Sequence, residues 1–439
     1  MKFSNLPLSL TDMSAPVIGI ASRTQTPKGL RLHIGLFGRR NAGKSSLINA
    51  LTNQKIAIVS DVPGTTTDPV EKACELAPIG PVVFIDTAGV DDVGELGGLR
   101  TERSLAVLGW VDVALIVCDA KALTESELEL IRTVKSTATP TIVVLNKADT
   151  ADAKELIATQ EQVRSLGYEP VTVCASQKLN IDAVSEAIVK LAQNAVEPDL
   201  PLLGDLVHPG DTVMLVTPID TGAPKGRMIL PQVQAIREVL DADAKCIVVR
   251  ENRLAETLTN EKEPPAFVVT DSQVVQSVVA QTPKTIPVTT FSIQMAYSKC
   301  DLVEMARGAA MIDFLRPGDK VMICETCSHH PQPDDIGRKK LPRWLAKKVG
   351  GELDIEVVVG KDFPVDLTPY KLILQCGGCV VTRRHMLTRL AQAKRQNIPM
   401  TNYGVAISHL QGVLERALEL HPKALKAFHE AREIFANHF

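Results

Sequence analysis

The sequence predicts an α/β protein of three domains. Three observations carry that expectation: the chain length, a repeated alternation of short apolar runs with helical stretches, and two unrelated motif sets far apart in the chain. At 439 residues the chain exceeds what one core usually holds. Apolar residues make up 45% and charged residues 23%, an ordinary balance for a water-soluble globular protein. The formal net charge is −3, so the whole chain lacks the basic footprint of a nucleic-acid binder. No apolar run approaches the roughly 18 residues that span a bilayer. Residues 1–29 lack the apolar core and cleavage site of a secretory leader. A cytoplasmic protein is expected, in which the nine cysteines serve as thiols or metal ligands rather than disulfides.

The first domain is expected over residues 30–196. Short β-rich runs at Leu32–Gly38, Val82–Asp86, Val113–Asp119, Thr141–Asn146 and Pro170–Ala175 alternate with helical patterns, as in a mostly parallel sheet wrapped by helices. A proline-bearing stretch from Asn194 to Gly204 reads as a linker. The second domain, 203–285, alternates again: strands at Asp211–Val216, Lys245–Arg250 and Ala266–Thr270, with helices at Leu230–Leu240 and Leu254–Thr259. It holds no chemical motif. The third, 286–439, places strands at Lys320–Cys324, Asp354–Gly360 and Lys371–Gln375, and helices at Arg343–Val349 and from about Val381. No internal sequence repeat is visible.

The chemistry of the first domain follows from four ordered motifs. Gly38-Arg-Arg-Asn41-Ala-Gly43-Lys44-Ser45-Ser46 lies between a strand and a helix, where a phosphate loop must lie. Backbone amides face the phosphates, Lys44 reaches the β and γ oxygens, and Ser45 takes Mg2+. Asp86-Thr-Ala-Gly89 puts a carboxylate near the magnesium and the Gly89 amide near the γ-phosphate. Asn146-Lys147-Ala-Asp149 supplies a carboxylate for both donors of a guanine edge, which adenine lacks. Cys174-Ala175-Ser176 fits the weaker base-edge motif. Together they predict a GTP-binding domain.

Residues 32–193 resemble the bacterial GTPases that include the tRNA-modification and ribosome-assembly enzymes. That resemblance implies a first switch at Asp61–Asp68, with Thr66 as the magnesium and γ-phosphate sensor. It also implies K+ activation through Asn41. Val90 stands where Ras-like GTPases carry a water-positioning glutamine, so slow intrinsic hydrolysis is expected.

In the third domain Cys324-x2-Cys327 and Cys376-x2-Cys379 each end a predicted strand, the edge at which open α/β sheets bind ligands. Spacing alone admits zinc or an iron-sulfur cluster. His329, His330, Asp334 and Asp335 follow closely, so possible ligands are over-supplied.

Cys327-Ser-His329, a long spacer and then Gln375-Cys376-x2-Cys379 resemble the C-terminal signature of HydF-type FeFe-hydrogenase maturation GTPases. The flanking stretches Asp335–Trp344 and Gly360–Pro364 resemble the family too. The resemblance implies a P-loop GTPase domain, a small α/β dimerisation domain and an α/β cluster-binding domain. It further implies a 4Fe-4S cluster on Cys327, Cys376 and Cys379, with His329 or Asp334 at the fourth iron. The implied work is to receive a diiron precursor from two radical-SAM maturases and pass it to apo FeFe-hydrogenase, as a homodimer or higher assembly. Where the family has a second histidine, this chain has Gln375. The competing expectation is a ribosome- or tRNA-associated GTPase with a closed four-cysteine zinc site.

Overall fold

A computed structural model of the protein describes residues 26–52, 69–89, 104–137, 139–195, 200–219, 228–326, 335–361 and 363–437. Three sheets succeed one another along the chain. The first has six strands: β1 Leu32–Phe37, β2 Val70–Leu76, β3 Gly80–Asp86, β4 Val113–Asp119, β5 Thr141–Asn146 and β6 Val171–Thr172. Their spatial order is β2-β3-β1-β4-β5-β6. All pairs are parallel except β2 on β3. β4 is buried at every residue, which is why its sequence is an unbroken apolar run rather than an alternation. Helices Lys44–Thr52 and Ile181–Ala195 contribute Leu47, Ile48, Val184 and Ile188 to the core on one face. Helix Glu125–Ser136 covers the other with Leu130, Ile131 and Val134. That helix starts at a reciprocal cap: the Thr124 hydroxyl accepts from the Glu127 amide and the Glu127 carboxylate accepts from the Thr124 amide, satisfying two orphan donors.

The second sheet holds β7 Thr212–Val216, β8 Lys245–Val249, β9 Phe267–Thr270 and β10 Val288–Thr290. β10 lies past residue 285 and pairs with β9, so this sheet takes in part of the stretch expected to open the third domain. The third sheet holds β11 Lys320–Glu325, β12 Asp354–Val359, β13 Leu372–Gln375 and β14 Met400–Asn402. The spatial orders are β10-β9-β7-β8 and β12-β11-β13-β14, and every pair is parallel. Numbered within each unit, both sheets run second-first-third-fourth. Each fourth strand runs directly into a helix, Phe291–Lys299 and Tyr403–Leu410, capped by Thr290 and Asn402. The two helix starts meet, because Asn402 donates to the Ser292 carbonyl at 2.6 Å and the Gly404 amide donates to the Ser292 hydroxyl at 3.0 Å. A repeat invisible in the amino acids is thus present in the topology.

A seam joins the first and third units. Lys361 reaches across it, donating to Glu71 of β2 at 2.6 Å with its Nζ 3.4 Å from the centroid of the Trp110 ring. Trp110 stacks on His385, centroids 6.5 Å apart, and meets His33 edge-on. Burial, helped by the Lys361 charge, lowers the pKa of His33 to about 4; burial, helped by Arg389, holds His385 well below its usual value. Both are neutral at pH 7. Their unfolded-state pKa, about 6.5, is higher, so as pH falls the unfolded chain takes up protons first. Stability is full above pH 6.5 and declines toward pH 4. A melting temperature several degrees lower at pH 5 than at pH 7 is the expected result; equal values would refute the buried neutral pair.

Candidate nucleotide and metal sites

The nucleotide cleft of about 510 Å³ is lined by Asn41, Gly43, Lys44, Ser45, Ser46, Asn146, Lys147, Asp149, Thr150 and Ser176. It opens at the C-terminal ends of β1, β3 and β5, where the strand order places ligands in such sheets. Lys44 is only 8% exposed, and its ammonium donates to the carbonyls of Gly38 and Arg39 at 2.9 and 3.0 Å. A buried cation held by its own loop is set to receive phosphate oxygens at little reorganisation. Ser45 donates to the Asp86 carboxylate at 2.6 Å, so the two hard oxygen ligands expected for magnesium stand side by side. Gly89 is buried.

Asn146 lines the cleft and also braces it. Its amide donates to the Ala42 carbonyl at 2.9 Å, and its oxygen accepts from the Ala175 amide at 3.0 Å. One side chain thereby braces the phosphate loop against two base-edge motifs. Gly43 must be glycine for this brace. Its φ is +95° and a Cβ there would stand 2.2 Å from the Asn146 amide nitrogen. Asp149 has its carboxylate engaged by the Cys174 thiol at 3.0 Å and by Gln177 at 3.2 Å.

Asp119 escaped the sequence reading. As the last residue of β4 it accepts from Arg39 at 3.2 Å and from Lys147 at 3.3 Å, joining the phosphate loop to the guanine motif. The signal was available, since Asp119 ends an apolar run at the same sheet edge as Asp86 and Asn146. Thr66 lies outside the described residues.

At the third sheet the edge position between β11 and β13 is the point where strand order reverses, the place open α/β sheets use for ligands. Thr326 and Cys376 meet there. The Cys376 Sγ accepts from the Thr326 amide at 3.2 Å and lies 3.1 Å from its hydroxyl. Contacts of this kind to sulfur tune a thiolate wherever one ligates a cluster. Thr326 is the residue before Cys327. Cys327, His329 and Asp334 lie outside the described residues, and among those described no group of three or more His, Cys, Asp or Glu is placed to hold a metal ion. Cys379 packs beside the second sheet's core.

Cys324 is a core residue. It is fully buried in the same cluster as Met322, Ile373 and Val405, and burial pushes its thiol up to about 12. A free thiolate is therefore disfavoured there, and Cys327, its partner in the motif, lies outside the described residues. Gln375 is also fully buried, with its amide oxygen accepting from Arg389 at 2.9 Å. It supports the edge rather than facing a ligand. No helix among the described residues is long and apolar enough to cross a membrane.

Residues 33–147 match the family model described as 50S ribosome-binding GTPase. Residues 202–300 match the hydrogen maturase F dimerization domain, and residues 303–420 match the hydrogen maturase F tetramerization domain. Curated relatives include the tRNA modification GTPase MnmE of Trichormus variabilis, 38% identical over 37% of this chain and 34% of that one. GTPase Der of Wolinella succinogenes is 35% identical over 37% of this chain and 36% of that one. The chain thus spans about a third of the length of these relatives. Among solved structures, a single-residue variant of Aquifex aeolicus Era bound to GDP·AlF4− is 21% identical, covering 52% of this chain and 97% of that chain at a TM-score of 0.33. The G domain of the Thermotoga maritima FeoB iron transporter is 23% identical, covering 37% and 99% at a TM-score of 0.30. The three family models follow one another without overlap along most of the sequence, and two of them are specific to one kind of GTPase: the chain belongs to the hydrogen maturase F family.

Proposed function

We propose that the protein is a GTP-hydrolysing scaffold that carries a 4Fe-4S cluster, receives the diiron precursor and delivers it to apo FeFe-hydrogenase. The observation that carries this reading is the meeting of Thr326 and Cys376 at the strand-order reversal of the hydrogen maturase F tetramerization domain. Lys44, Ser45, Asp86 and Gly89 bind and sense GTP with Mg2+, joined by Thr66 from the first switch. Asp149 selects guanine on the brace that Asn146 provides, and Asn41 contributes to a K+ site. Cys327, Cys376 and Cys379 hold the cluster, with His329 or Asp334 at the remaining iron. When bound, the cluster supplies an exchangeable corner for the cargo. The chain's own contribution is to orient Cys376 by the Thr326 hydrogen bonds and to keep Cys324 out of the ligand set. The two radical-SAM maturases are the partners on the supply side, and the dimerization domain pairs two copies.

Anaerobic purification with iron, sulfide and zinc analysis tests this reading. A brown protein with about four irons is expected, and Cys376→Ser or Cys379→Ser should lose most of that iron. Stoichiometric zinc without iron would sink it.

A further inference from the structure

The seam between the first and third units continues as a chain of contacts up to Cys376. Lys361 sits just beyond β12, and its neighbour Gly360 offers a carbonyl that accepts from Arg389 Nη2 at 2.9 Å. The other arm of the same guanidinium, Nη1, donates to the Gln375 side chain at 2.9 Å. Gln375 ends β13 and is bonded to Cys376. Arg389 is 2% exposed and lies over the Phe363 ring, 5.0 Å from its centroid. Burying a guanidinium costs heavily unless its donors are used. Here they bridge the loop that carries Lys361 and the strand end that carries Cys376, so those two cannot move independently. His385 lies one turn before Arg389 on helix Arg383–Arg395 and stacks on Trp110, so a second contact runs along the same helix.

On the nucleotide side, the Glu71 end of the seam lies on the strand paired with the one that ends in Asp86. Glu71 is the second residue of β2, the strand that follows the first switch segment, and it pairs in register with Ile85, next to Asp86. Trp110 stands just before β4, beside His33 of β1, and holds Lys361 from the strand starts. The Asp86 end of β3 is therefore tied through β2 to the residue that holds Lys361.

We infer that Arg389 is a positioning residue for Cys376, and that Glu71–Lys361–Gly360–Arg389–Gln375 is the route by which the bound nucleotide alters how Cys376 is presented. This deepens the proposed function. It rests on that reading's GTP site and not on its cluster.

The test uses the full-length protein, metal-free and anaerobic, saturated with GDP or with a non-hydrolysable GTP analogue. Iodoacetamide alkylation of Cys376 is followed by peptide mass spectrometry, with half-buried Cys246 of the second sheet as internal reference. The Cys376 rate should differ about fivefold between the two nucleotides, the lower end of ordinary site-to-site coupling, while the Cys246 rate does not change. Lys361→Met keeps the aliphatic stem on Trp110 but loses the ion pair. It should bring the difference below about twofold at unchanged GDP affinity, and Lys361→Arg should restore it. Arg389→Met should also abolish the nucleotide dependence, with folding verified by circular dichroism. Equal wild-type rates in both nucleotides overturn the coupling. A full difference retained in Lys361→Met overturns this route. Because no metal is present, an iron-free or zinc-bearing preparation would defeat the cluster reading and leave this measurement intact.

Discussion

Asp149→Asn is expected to weaken GTP and GDP binding by about two orders of magnitude and to create affinity for xanthosine nucleotides. The Asp149 carboxylate stands at the cleft with its oxygens anchored by Cys174 and Gln177, leaving lone pairs for the two donors of the guanine edge. Hydrogen bonds to a charged group contribute roughly 1.5–3 kcal/mol each, and about 1.4 kcal/mol is tenfold in affinity. The asparagine amide keeps one acceptor but turns a donor toward a donor, which adds repulsion to the loss. Xanthine carries a carbonyl where guanine has its amine, so the same amide now matches. Fluorescence titration with labelled GDP and competition by xanthosine diphosphate read both effects. Undiminished guanine affinity would remove Asp149 from the site.

Gly308→Ala is expected to cost about 3 kcal/mol of stability, the upper end of the usual cost of overpacking. Helix propensity alone predicts the opposite sign, since alanine is better than glycine in a helix by roughly 1 kcal/mol. Packing decides the outcome. A Cβ at Gly308 would stand 2.0 Å from the Met400 carbonyl oxygen and 2.6 Å from its carbon, both backbone atoms that no rotamer change can move. Helix Leu302–Ala309 must then lift from β14, opening the core around Met305, Ala309 and Met400. β14 also holds β13 in register, Gln375 opposite Asn402, so the strand end before Cys376 loosens with it. Urea denaturation checks the sign; a variant more stable than the parent would contradict this close approach.

Legibility from sequence followed burial. β4 and β5 were predicted residue for residue, because strands buried on both faces write themselves as apolar runs. β2 was missed. It is an edge strand carrying Glu71, Lys72 and Glu75, and those charges mask its period. β10 and β14, three residues each, are shorter than any pattern can show. β6 shrank to Val171–Thr172 because the chain turns at once, with Cys174 bridging Leu179. The phosphate loop and guanine motif were fully legible, since their chemistry demands particular residues at fixed spacing. The Asp119 brace, the burial of Cys324 and the Lys361 seam depend on residues brought together only by the fold.

The matching second and third sheets have a consequence for how this chain came to do two things. A unit present twice is released from doing the same work twice. In the later copy the residue just after the third strand is Cys376; in the earlier copy it is Asp271, following Thr270. Duplication, with one copy free to drift, would let one strand-order edge exchange its side chains while its twin kept the older set.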